Sequence, residues 1–319
     1  MNRLTSSSKH SMVRRIITAL VMCLVLIPCL LFGSWYYLTA VIVMAVVAIF
    51  EMIQAPNKGR FSILVYVVVF LMVILIIFTP FFFNSDLQNS IKNHNLIVIK
   101  NISLPLIFVI VYLILLFMIS IFSTKLMVSD VCYLFTMGIY IAFTFICMLY
   151  VRYLPNDTAY NNKDGLASSV LATYIVIGTI FNDIGAYFVG VLMGKHKMAP
   201  RISPNKTWEG FAGGVFFSIT FSFLYAFIVE NCFNVSLLGN LLSWNYWWRI
   251  LLISVVMPLV GDIGDLLFSL VKRTYAIKDF GNILPGHGGV LDRIDSLSLV
   301  LITVSLIIVI FQEGWTALL

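Results

Sequence analysis

The chain has 319 residues, of which 61% are hydrophobic and only 11% charged. Soluble domains carry about 25% charged residues, so a single water-solvated core is excluded and lipid must solvate much of the chain. The net charge of +6 does not point to nucleic acid, because the basic residues sit in short connections between apolar runs, where membrane topology accounts for them.

A helix crosses the hydrocarbon with about 20 mostly apolar residues. Nine stretches meet this length, at roughly 16–33, 35–51, 61–83, 104–123, 131–151, 168–192, 211–230, 250–270 and 296–312. They predict an all-α polytopic integral membrane protein. The first run follows Arg14 and Arg15, with no small-residue cleavage site before Trp35, so it reads as a retained span. Gly33 and Ser34 alone separate it from the second run, which predicts a tight hairpin. The five cysteines, Cys23, Cys29, Cys132, Cys147 and Cys232, have no metal-ligand spacing and read as small core residues.

With the N-terminus in the cytoplasm, only Lys92, Lys100, Arg152, Lys163 and Arg249 fall on the far side, leaving 15 of the 20 basic residues inside. This bias predicts a cytoplasmic N-terminus and a C-terminus on the opposite side. There are no heptads or short repeats. Residues 1–167 read as a transmembrane scaffold half and 168–319 as a chemical half of one continuous membrane domain, because the second half holds nearly all the charge within or beside spans.

Charge inside a span is costly, about 2.5–3.5 kcal/mol for Asp at a helix centre on insertion scales. Asp183, Asp262 and Asp265 fall in or at the ends of predicted spans and are read as functional. Asp262, Asp265, Ser269 and Lys272 are spaced to share one helix face. Two acids three residues apart repel unless a cation lies between them, which favours a metal; an ion pair that only joins helices is the plain alternative.

This stripe runs into a polar loop, Thr274 to Asp295. Gly286, Gly288 and Gly289 let backbone N–H groups approach a ligand, and such nests favour anions. Lys272, Arg273, Lys278 and Arg293 are suited to neutralising phosphate, and Asp279, Asp292 and Asp295 to holding Mg²⁺. Together they describe a site for a nucleoside triphosphate and a metal.

A second polar segment, Lys195 to Gly210, is predicted on the same side of the membrane. Ser203, Lys206 and Thr207 are phosphate-binding residue types, and the segment opens a helix near Trp208, whose N-terminus favours anions. Asp183, Tyr187 and Gly190 precede it at helical spacing. A basic topology anchor is the competing reading of this segment.

The run Ser269-x-x-Lys272-Arg273-x4-Lys278-Asp279-x-Gly281-x2-Leu284-Pro285-Gly286-His287-Gly288-Gly289-x-Leu291-Asp292-Arg293-x-Asp295 resembles the C-terminal motif of the phosphatidate cytidylyltransferase family. Ser203-Pro204-Asn205-Lys206-Thr207-Trp208-Glu209-Gly210 and Asn182-Asp183-x-Gly185-Ala186-Tyr187 resemble two further stretches, so the resemblance covers about residues 180–296. It implies transfer of CMP from CTP to phosphatidic acid, giving CDP-diacylglycerol and pyrophosphate at a multi-pass membrane site facing the cytoplasm. It also implies Mg²⁺, with Asp265 and Asp292 as ligands of a metal pair and Asp262 and Asp295 beside them. Asp279, Lys272, Arg273, Lys278, His287 and Arg293 would serve the chemistry. Ser203, Lys206, Thr207, Glu209, Gly286, Gly288, Gly289, Asp183 and Tyr187 would contact substrate. His287 reads as a phosphate donor or loop organiser, since phosphatidate is already ionised and needs no strong base. Nucleic acid is not an expected partner, and a homodimer is an open assembly. The competing classes are another CTP-using membrane enzyme, such as a polyprenol or phytol kinase, and an ion-coupled transporter. Clustering of the polar groups at one membrane face, and no paired inverted repeat, argue against the transporter.

Overall fold

Nine long helices dominate the residues that the computed structural model describes, 6–56, 61–82, 103–156 and 165–313. They are α1 (Ser6–Phe32), α2 (Ser34–Gln54), α3 (Ile63–Phe82), α4 (Ser103–Phe122), α5 (Val128–Tyr153), α6 (Val170–Met193), α7 (Trp208–Phe233), α8 (Trp247–Thr274) and α9 (Leu291–Glu313). Each predicted stretch falls on one of them. Six, α2 and α5 to α9, are long and apolar enough to cross a membrane, while α1, α3 and α4 carry shorter apolar stretches. Arg3, Lys58, Arg60, Lys92, Lys100 and Lys163, which enter the topology expectation, lie outside the described residues.

Large apolar side chains such as Leu24, Ile63, Ile121, Phe188, Leu192 and Phe216 face outward. In water such a surface would aggregate; in lipid it is the solvated face. The chain is thus a multi-pass helical membrane protein. Cys23, Cys132 and Cys232 also lie on the outside and not in the core, since lipid accepts a small apolar side chain as readily as the interior does.

Gly33 ends α1 with φ 64°, and a Cβ there would lie 2.2 Å from Arg152 Nη2. Arg152, at the end of α5, donates to the carbonyls of Leu30 and Leu31 and so satisfies the open C-terminus of α1. At the other end of the hairpin, Thr18 of α1 donates to Pro285 O and Glu51 of α2 reaches Val290 and Leu291. The two helices therefore turn at one pole and return to the other, as the Gly33–Ser34 break predicts.

The interior holds two apolar clusters. One joins α2 to α5 with Phe268, Phe280, Leu291 and Ile294. The other joins the end of α5 to α6, α7, α8 and α9. The first crosses residue 167, so the start of α9 is packed into the N-terminal half. Helices α6 and α7 pack closely along a glycine seam: a Cβ at Gly214 would meet Asn182 Oδ1 at 2.6 Å, and one at Gly185 would meet Gly213 O at 2.8 Å. Small residues at such a seam are the usual way membrane helices approach.

One segment departs from helix. Residues Lys197–Ala199 (β1) and Ser203–Thr207 (β2) form an antiparallel hairpin between α6 and α7, with Ala199 opposite Ser203 and Lys197 opposite Thr207. Pro200 and Arg201 occupy its tip, where Pro204 and the short reach between two helices disfavour a helical connection.

Candidate active site

The charged residues gather at the pole where α2 and α8 end and α9 begins. Asp262 and Asp265 lie one turn apart on α8, as their spacing predicts. Lys206 of β2 reaches both, with Nζ 2.6 Å from Asp262 Oδ1 and 2.9 Å from Asp265 Oδ2. A lysine brought in by the hairpin thus lies between the two acids. Burial pulls the Lys206 ammonium toward neutrality, but Asp265 and Asp262 outweigh it and hold its pKa above the ordinary lysine value. Asp262 is buried and also accepts from Asn182 Nδ2 at 3.3 Å, whereas Asp265 is half-exposed and open to a ligand. Ser269 stands 3.4 Å from Asp265 Oδ1.

Asp183 and Asp295 lie within electrostatic range of Asp265. Among the described residues, however, no three His, Cys, Asp or Glu side chains converge as a ready metal-ligand set.

Lys272 continues the α8 stripe but turns to α9. Its Nζ lies 2.9 Å from Asp292 Oδ1, and both groups are buried. Asp292 Oδ2 accepts from Phe280 N at 2.8 Å and Gly289 N at 3.0 Å. Three of its roughly four acceptor positions are therefore met by the protein. Asp292 sits in the first turn of α9, which starts at Leu291, earlier than the predicted span at 296, and Asp295 follows it by three residues. Carboxylates there complement the helix dipole.

The glycine loop folds on itself. Gly286 and Gly288 have φ of 80° and 87°, Leu284 N donates to Gly288 O and His287 N donates to Leu284 O. Sequence reasoning expects its N–H groups to face phosphate. Instead Gly289 donates to Asp292, and Val290 and Leu291 donate to Glu51 at 3.0 and 2.9 Å. The N-terminus of α9 is thus occupied by the chain's own carboxylates. His287 sits within the loop with Nδ1 buried and unbonded.

Glu51 was not among the expected residues. It is 2% exposed at the end of α2, and its carboxylate fills space that only glycine leaves: a Cβ at Gly281 or Gly289 would lie 2.3 Å from its Oε1. A signal for it exists in the sequence, since a lone acid at the end of an apolar span carries the same cost that singled out the aspartates.

The second segment divides by role. Thr207 is the N-cap of α7, its buried Oγ1 accepting from Gly210 N at 3.1 Å, which leaves its O–H as a donor. Glu209 accepts from the backbone N–H groups of Lys195 and His196 and closes the base of the hairpin. Ser203 pairs with Ala199. Tyr187 is 67% exposed with its ring edge-on to Phe188. Arg273 Nε donates to Ile202 O and ties the hairpin to α8, while Lys278, Asp279 and Arg293 are exposed at the same pole.

A family model described as the cytidylyltransferase family matches residues 13–311. Proteins named phosphatidate cytidylyltransferase are similar over 166 residues, with 39% identity in Staphylococcus haemolyticus and Staphylococcus epidermidis and 38% in Staphylococcus aureus. These alignments take in 51% of this chain and 58% of each relative, so the chain spans somewhat over half the length of the curated relatives it matches. The family match runs through both the N-terminal helices and the folded charged pole, and the chain therefore belongs to the cytidylyltransferase family.

Proposed function

We propose that the chain is a phosphatidate cytidylyltransferase, which joins CMP from CTP to the phosphate of phosphatidic acid and releases pyrophosphate. The observation that carries this reading is the folding of the Lys272–Asp295 run and Lys206 into one cluster of cations and carboxylates at a single pole of an apolar bundle. A phosphate oxygen of phosphatidate attacks the α-phosphorus of CTP, the bond to the β-phosphate oxygen breaks, and pyrophosphate carries away the electron pair. Such a transfer depends on positioning and charge neutralisation more than on a strong base. The exposed cations Arg273, Lys278 and Arg293 are placed to meet the polyphosphate, and Lys206 to move between the carboxylates and a phosphate. A site at the bundle's pole lets a water-soluble nucleotide meet a lipid whose acyl chains stay in hydrocarbon.

Mg²⁺ is the metal the family resemblance implies. Asp262 and Asp265 already share one positive charge, and their hard oxygens suit this ion. Asp265, with Asp262 and Asp295 beside it, would hold it, and when bound it would neutralise charge on the phosphates. Asp292, whose carboxylate already takes Lys272 and two backbone donors, would join a second ion through its remaining acceptor position. The polyprenol or phytol kinase reading has no observation of its own in its favour. The test is incorporation of labelled CTP into chloroform-soluble lipid by purified protein, with and without added phosphatidate.

The reading also places the pole in the cytoplasm, with nine spans and the C-terminus outside, supported by the excess of basic residues on that side. Single cysteines at Lys197 and Ile283, both exposed, should react with an impermeant thiol reagent from the cytoplasmic face alone. Labelling of either from the outer face would overturn this orientation.

A further inference from the structure

We infer that a hollow beside the charged cluster receives the cytosine of CTP, with the side-chain amides of Gln54 and Asn282 reading the edge of the base; this rests on the cytidylyltransferase reading. The hollow has a volume of about 470 Å³ and lies between the last turn of α2 and the chain leaving α8. That is within the usual range for small-molecule sites, roughly 300–1,000 Å³. Ala276, in the left-handed region at φ 54°, reverses the chain after α8 and turns residues 277–282 back toward α2. Glu51, one turn before Gln54, fixes that end of α2 against the loop.

The hollow and the charged cluster share one stretch of backbone. Lys278, Asp279 and Phe280 line the hollow, and Phe280 N donates to Asp292, whose other oxygen holds Lys272. A nucleotide with its base in the hollow would therefore have Lys278 beside its phosphates. Tyr275 offers a ring at the wall, held edge-on by Tyr133 with centroids 4.8 Å apart.

The chemistry selects a base with adjacent donor and acceptor. Cytosine presents an amino donor at N4 beside an acceptor at N3. A side-chain amide presents the complement, an acceptor oxygen beside an NH₂ donor. Asp279 is acceptor-only when ionised, so it favours the N4 amino group and opposes the O4 oxygen of uracil. Among the described residues, neither the Gln54 nor the Asn282 side chain takes a hydrogen bond within the chain, and both are at least partly exposed at the hollow.

The experiment measures kcat and KM for CTP, and the preference for CTP over UTP, at saturating phosphatidate. It uses the full-length protein and the Gln54→Leu and Asn282→Leu variants. Asn282 is an exposed loop residue, so its replacement leaves the fold in place and keeps the test valid if Gln54→Leu does not fold. The expected result is a rise of about tenfold or more in KM for CTP, with kcat changed less than about threefold; because an amide can turn over to suit uracil, the preference over UTP, set by Asp279, should stay within about threefold of the parent. A KM for CTP within about twofold of the parent overturns the base site while leaving the enzyme reading intact. So does a fall in kcat alone. A parent protein that makes no lipid product from CTP overturns both.

Discussion

Asp265→Asn should remove turnover, a loss of at least about 1,000-fold, while the protein stays folded in detergent. The amide keeps the shape of the carboxylate and removes the charge that the proposed Mg²⁺ requires. Folding is spared because Lys206 retains its 2.6 Å pair with Asp262. Asp292→Asn differs. Its carboxylate meets Lys272 and two backbone N–H groups, all buried, and an amide would turn a donor toward donors. Breaking one partner of a buried pair costs about 3–5 kcal/mol, so Asp292→Asn should lower the unfolding midpoint as well as turnover. Labelled-lipid formation and thermal unfolding of the two variants, measured side by side, separate the effects. Near-normal turnover of Asp265→Asn at ordinary Mg²⁺ would remove Asp265 from the metal site.

Glu51→Ala should cost at least about 100-fold in turnover and lower the unfolding midpoint. It strands the N–H groups of Val290 and Leu291, and each buried donor without an acceptor costs about 1–3 kcal/mol. Glu51→Gln should fall between, because one amide oxygen still accepts one of the two bonds. Gly289→Ala should damage the parent for the complementary reason, that its Cβ would meet the Glu51 carboxylate. In a Glu51→Ala background the carboxylate is absent and most of the Gly289→Ala penalty should vanish, giving a coupling above about 1 kcal/mol. Strictly additive penalties would show that Glu51 does not shape the loop.

Much of this architecture is legible in the sequence because it rests on local pattern. The apolar runs at 131–151, 168–192, 211–230 and 250–270 lie within two to four residues of α5, α6, α7 and α8. Asp262, Asp265 and Lys272 share the predicted face, since helical spacing fixes it. What local pattern does not carry is the partner. Lys206 meets Asp262 across 56 residues, and Glu51 meets Leu291 across 240. No spacing rule links such residues; only the packing of the hairpin against α8 and of α2 against the start of α9 does. The partners at the end of the glycine loop are hidden for the same cause. The N–H groups of Gly289, Val290 and Leu291 bind carboxylate oxygens, and those belong to Asp292 and Glu51. Thr207 shows a different limit, for one hydroxyl can accept as a helix cap and still donate to phosphate. The cap is visible only once the β1–β2 hairpin places Thr207 at the start of α7.

The most direct test of the whole account is to give purified protein labelled CTP with Mg²⁺ and follow the label into a chloroform-soluble product. The expected result is label in CDP-diacylglycerol that requires added phosphatidate and is accompanied by pyrophosphate. Label that stays in water with phosphatidate present, or a phosphorylated lipid alcohol formed with release of CDP, would contradict it.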